Sequence, residues 1–435
     1  MKRFIDSIKN IWRVEELRSR LVVTLLLILV FRIGSFIVLP GVDSSRLGSD
    51  STDAGTIEGL LGLLSGGGFT NASFMALGIM PYISASIIMQ LMGMAVPAVQ
   101  KMQSEGESGR KKINNYTRIL TIIICAVQAP GYLTLYVQGK GAIPAEFMDS
   151  SLWWIQSILV LVAGAMFAVW LGERITDKGV GNGISLLITV GIIARLPQAF
   201  VAESITNAPL KVIIEVLVFM LIVMATVLIV QGVRKIPMNY AKRIAGMRGG
   251  ENSMNQGARS YIPVKVNSSG VMPIIFAQAI MTVPVMLIGT QFGIFGFWYN
   301  LTLAILIIVF TYFYTAIMIN PKKMADDLKR NGGFIPGVRP GDETANFIDS
   351  LVSRITLPGS IFLAIIAILP AIAVQFGVGD AFALFFGGTS LLIMVGVVLD
   401  TLQQIESYLL NRHYDGLMEG TKIRGRRTQG ELSGM

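Results

Sequence analysis

The residues that usually carry chemistry are scarce in this chain of 435 residues. Its only histidine, His413, stands close to the C-terminus, which excludes HExxH metal sites and histidine-based triads. Its only cysteine, Cys125, falls in an apolar run, so there is no disulfide framework and no redox pair. Acidic residues are sparse inside the apolar runs. Asp400 has no obvious partner, so paired-aspartate proteolysis and proton relays lack the carboxylates they need. The stretch GERITDKGVGNGISLLI, Gly172–Ile188, carries glycines that invite comparison with a phosphate cradle. A Walker loop needs Lys-Ser/Thr after its glycines and a dinucleotide site needs a preceding strand; neither is present, which leaves a tight turn opening a helix. The inventory yields no catalytic residue, no metal ligand and no cofactor.

What remains is a set of isoleucines. Ile79 and Ile83 are four apart, as are Ile184 and Ile188, so each pair shares a helix face. Ile275 lies beside Pro273, and Ile393 sits in the last apolar run. Spacing by itself makes them lipid-facing or core residues.

The elements that would position them are membrane spans. The chain is 53% hydrophobic and only 14% charged, the composition of a polytopic membrane protein. Low-charge windows fall near residues 21–39, 75–96, 119–137, 152–171, 183–200, 212–230, 270–288, 301–319, 355–375 and 388–409, ten in all. The stretch Thr56–Leu91 departs from that pattern. Its apolar piece Ile57–Leu64 is too short to cross a bilayer, which takes roughly 20 residues. It breaks at Gly66, Gly67 and Gly68, and a second run containing Pro81 begins near Phe74. Irregular backbone at membrane depth survives only when buried in protein or facing a water-filled cavity, so the stretch is expected to fold back into a cavity that the next helix lines.

Ten spans place both termini and four loops on one side, and 31 of the 36 Lys and Arg fall there. That excess puts both termini in the cytoplasm. Arg46, Lys140, Arg195 and Lys211 are assigned to the opposite side. Arg32 lies within span one, either paired inside the bundle or reaching for an interface. Residues 1–20 mix Phe4, Ile5, Ile8, Ile11 and Trp12 with basic residues, which suits a helix in the headgroup layer. Five spans per half mean that any structural repeat is inverted, bracketing a central pathway. The expected organisation is an N-terminal half over 1–200, a C-terminal half over 201–410 and a tail over 411–435. Two loops, Gln231–Val266 and Pro321–Arg354, exceed what a connector needs. Their basic charge favours an RNA backbone or an acidic protein surface.

The stretches LGIMPYISASIIMQL (Leu77–Leu91), GVGNGISLLI (Gly179–Ile188), YIPVKVNSSGVMPIIFA (Tyr261–Ala277), GGFIPGVRPG (Gly332–Gly341) and FGGTSLLIMVGVVLD (Phe386–Asp400) resemble the SecY family. That family supplies the central subunit of the bacterial protein-conducting channel. The resemblance implies an all-α fold of ten transmembrane helices in two inverted five-helix halves around a central pore. It implies a pore ring at Ile79, Ile83, Ile184, Ile188, Ile275 and Ile393, stoppered by a plug over about 56–65 that includes Ile57, Leu60, Leu61, Leu63 and Leu64. Stiff β-branched side chains keep a gasket's shape, and an uncharged constriction resists wetting.

The same resemblance implies a lateral gate between spans two and three on one side and seven and eight on the other. Gln90 and Gln278 lie there, either bonded across the seam or facing the pore. Lys242, Arg243 and Arg339 become contact residues for the SecA motor or the ribosome. The implied partners are SecE, SecG, SecA, the ribosome, signal peptides, secretory polypeptides and lipid, in the bacterial cytoplasmic membrane. A secondary transporter of a small solute is the competing reading. It would need a polar midplane site on broken helices.

Overall fold

A computed structural model describes residues 14–47, 57–148, 150–240, 260–267, 269–288 and 294–420. Its elements in order are α1 (Glu15–Gly34), α2 (Ile57–Leu64), α3 (Met80–Ala95), α4 (Pro97–Ser104), α5 (Glu107–Tyr132), α6 (Ser151–Lys178), α7 (Gly183–Thr206) and α8 (Pro209–Val230). There follow β1 (Val233–Tyr240), β2 (Ser260–Lys265), α9 (Met272–Ile288), α10 (Phe297–Met318), α11 (Pro321–Arg330), β3 (Gly333–Phe334), α12 (Asp342–Gln375), α13 (Asp380–Ala383) and α14 (Gly388–Gly420).

Ten of these, α1, α3, α5 to α10, α12 and α14, follow the ten apolar windows in order. Among the described residues seven are long and apolar enough to cross a membrane on their own. The other three each have a reason to fall short. α1 carries Arg18, Arg20 and Arg32, and α9 has 17 described helical residues. α3 is bent from α4 by 102° where extended Val96 meets Pro97.

Helix neighbours recur between the two sets of five. In the first, α3 packs on α5, α5 on α6, α6 on α7 and α1 on α7. In the second, α9 packs on α10, α10 on α12, α12 on α14 and α8 on α14. The sets meet mainly where α7 lies along α14.

Two expectations from the sequence change. Span two does not begin as a helix at Met75. Pro81 occupies the first turn of α3, where its missing N–H is not needed, and the chain before Met80 runs in turns. Ile79 is therefore the N-cap residue, and the Ile83 amide donates to its carbonyl at 3.1 Å. Span five runs past its window: α7 continues through Pro197 to Thr206, so Arg195, counted above on the side opposite the termini, lies well inside the helix.

The two long loops, read separately in the sequence, meet in one small domain. β1 pairs with β2 antiparallel, Ile236 opposite Ile262, and β3 adds to the other edge of β1, giving a three-stranded sheet in an otherwise helical chain. Ile236 and Met238 alternate inward as a half-buried strand requires. Ile236 packs with Val264, Ile335, Ile348 and Val352, the last two supplied by α12. At roughly 1.5 Å per residue, the 34 residues of α12 exceed a bilayer core of about 30 Å, so its first turns project to complete this domain.

Candidate pore and plug

The turn that opens α7 is held from three sides. The Val180 amide donates to Thr24 Oγ1 at 3.1 Å, Gly181 to Gln404 Oε1 at 3.0 Å and Gly183 to Thr176 Oγ1 at 2.9 Å. Asn182 caps the helix, accepting from the Ser185 amide. These amides already have partners, so the glycines serve a turn and not an anion cradle. The turn ties α7 to α1, α6 and α14, and so aims Ile184 and Ile188 at the bundle centre.

The six isoleucines come together there. Ile79, Ile188 and Ile393 are buried members of one apolar cluster, and half-buried Ile83, Ile184 and Ile275 pack against it. Four helices contribute: α3 with its N-cap, α7, α9 and α14. From α2, Leu63 is buried in the same cluster and Leu64 packs on it, whereas Leu61 packs into a neighbouring cluster beside α5 and α6. The side chains of Ile57 and Leu60 lie outside the described residues, as do Lys242 and Arg243.

The cluster has different surroundings at its two ends. Beyond Ile184 and Ile393 along their helices, Asn182, Ser185, Asp400, Thr401, Gln403 and Gln404 line a polar hollow of about 440 Å³. On the side of α2, a cavity of about 30 Å³ touches Leu63, Leu64, Gln278, Asn300 and Thr389. Two hollows thus adjoin helices of the cluster, a larger one lined by α7 and α14 and a small one beside α2.

Residues that the sequence did not single out complete the collar. Met75 is buried in it, and Phe382 and Phe386 meet edge to face at 5.2 Å and both pack on Phe219 of α8. The run Phe382–Phe386 before Gly387 was visible, but a short aromatic run between two spans carries no signal of facing inward.

Both glutamines find partners on other helices. Tyr314 Oη on α10 donates to Gln90 Oε1 on α3 at 3.3 Å, joining the two sets of five helices where α3 and α10 do not pack extensively. Thr389 Oγ1 on α14 donates to Gln278 Oε1 on α9 at 3.2 Å. Arg339 is exposed in the turn before α12, where its carbonyl accepts from the Thr344 hydroxyl at 2.8 Å and Gly341 has φ +115°.

The family model described as SecY matches residues 73–402. The chain belongs to the SecY family. It is 38% identical over 451 residues to the protein translocase subunit SecY of Mycobacterium tuberculosis, covering 96% of this chain and all of that one. It is 41% identical over 442 residues to that of Halalkalibacterium halodurans, covering 95% and 99%. A solved protein-conducting channel shares the fold with a TM-score of 0.62 at 19% identity, covering 93% of this chain and 95% of that one. Sec61 in the canine ribosome-channel complex does so at 0.59 and 17%, with the same coverage. The SecY match spans the whole collar, from Met75 to Ile393.

Proposed function

We propose that this chain is the channel subunit of a protein translocase. It is a conduit for unfolded polypeptide and not an enzyme. The reading rests on one observation: isoleucines from four helices and leucines from α2 share one apolar cluster. In this reading Ile79, Ile83, Ile184, Ile188, Ile275 and Ile393 form the pore ring, and α2 is the plug. Dry apolar side chains offer an ion nothing to replace its water. They also grip no particular sequence, as a path for many clients requires.

The seam between α3 and α10 is the lateral gate, through which apolar segments pass into lipid. The ring and gate divide an N-terminal half ending near residue 200 from a C-terminal half ending near residue 410. The sheet domain is the docking surface for SecA or the ribosome, with Arg339 and the basic pair Lys242 and Arg243 as contacts. SecE and SecG are the membrane partners. Both termini face the cytoplasm, as the side bearing most Lys and Arg should. The small-solute transporter would need polar groups at the bundle centre. The six isoleucines that meet there offer no such group, which favours the conduit.

Replacing Ile275 or Ile393 with Asn tests the ring. A polar amide in the collar should admit water, so precursors with defective signal sequences should be exported at higher levels. Unaltered signal stringency at all six positions would refute the assignment.

A further inference from the structure

We propose that Arg32 on α1 and Arg195 on α7 form a two-point latch that holds the plug in its seat. The proposal rests on reading α2 as the plug. A cation within a membrane bundle is costly unless it is paired or bonded, so two of them near one segment need an explanation. Among the described residues neither arginine makes an ion pair. Both turn instead to the chain that returns from α2. Arg32 Nη1 donates to the Gly66 carbonyl at 2.8 Å, and its guanidinium lies 5.3 Å from the centre of the Phe36 ring. Arg195 Nη2 donates to the Thr70 hydroxyl.

The glycines of this return are shaped for the two guanidinium groups. Gly66 and Gly67 have φ of +65° and +96°, a region other residues rarely enter. A Cβ on Gly66 would stand 2.9 Å from Arg32 Nη1 and 2.7 Å from the Gly191 Cα of α7. A Cβ on Gly67 would stand 2.7 Å from Arg195 Nη2. The missing side chains thus let α7 and both cations reach the same short segment, one cation at each end of it.

The acceptors are a backbone carbonyl and a hydroxyl, not carboxylates. A bond from a charged donor is stronger than one between neutral groups, yet weaker here than a salt bridge would be. That strength suits a contact that must break whenever a polypeptide displaces the plug. Two arginines that only filled space would not both aim at the one segment that has to move.

The test uses membrane vesicles carrying the assembled channel with Cys125→Ala and a reporter Leu64→Cys. Two rates are read: ion leak, and labelling of the reporter by a membrane-impermeant maleimide. Arg195→Gln should raise both rates by roughly tenfold, the factor expected from losing one charge-assisted hydrogen bond, and adding Arg32→Gln should raise them further. Arg195→Lys should give an intermediate value. Parental rates in glutamine variants present at normal abundance would overturn the latch. If those variants fail to accumulate, Thr70→Val decides by the same two rates: it removes the acceptor of Arg195 together with the hydroxyl's own bond to the Gly67 carbonyl at 3.1 Å, and Thr70→Ser, which keeps both, should give parental rates. Deletion of residues 57–64 separates the two readings. A leak in the deletion without one in the arginine variants rejects the latch alone, whereas no leak in the deletion rejects the plug.

Discussion

Among single residues, burial separates the collar isoleucines from others that the sequence presents identically. Ile188 is 8% exposed and Ile193, five positions on in the same helix, is 44% exposed. Five residues turn a helix by about 500°, so the two occupy different faces. In a soluble protein the outward face would be polar and the choice readable from the pattern. In a membrane both faces are apolar, which is why spacing could pair Ile184 with Ile188 yet could not say what they face. Polar residues give more away. Gln90 stood out as an amide in a span, and its bond to Tyr314 crosses from one set of five helices to the other. Such a bond contributes about 0.6–2 kcal/mol, so Tyr314→Phe should shift the gate toward opening by roughly 3- to 30-fold. Export of a precursor with a weakened signal sequence should rise accordingly. Export at the parental level in both Tyr314→Phe and Gln90→Leu would show that the bond leaves the gate unbiased.

Among elements, the short helix α2 with its return and the turn before α7 were the most legible, because glycine clusters interrupt otherwise continuous apolar sequence. Gly183 shows what such a glycine does. A Cβ on it would overlap the carbonyl oxygen of Gly172 and stand 2.6 Å from the Ile175 Cβ, both on α6. Gly183→Ala should therefore force α6 and α7 apart, with an overpacking cost of about 1–3 kcal/mol. Gly131, in α5, has open space around its would-be Cβ, and Gly131→Ala is the control expected to be neutral or mildly stabilising. Thermal unfolding of the purified channel checks both, and equal melting temperatures would contradict the packing argument. The sheet domain was far less legible. β1 and β2 are separated by residues 241–259, and β3 lies beyond three further helices, so no local pattern announces their pairing. Arg195 shows a related limit: it falls within the window 183–200, and nothing beside it in sequence announces the bond it makes to Thr70 beyond α2.

For the whole molecule, the order of ten apolar windows already contained the order of ten helices. What the windows lacked was depth. The projection of α12 into the sheet domain and the return of α2 depend on contacts between segments remote in sequence, whereas the bend at Pro97 is local. The matched helix neighbours of the two sets of five also appear only in three dimensions, since no residue-level repeat links the halves. Together these contacts converge on one claim, that an uncharged collar at the bundle centre is the path of the translocating chain. Site-specific crosslinking of a stalled secretory polypeptide tests it most directly. Photoreactive residues at 79, 83, 184, 188, 275 and 393 should each form adducts with the stalled chain, while positions 217 and 224 on the exposed face of α8 should not. Adducts at the α8 positions, with none at the six collar positions, would contradict it.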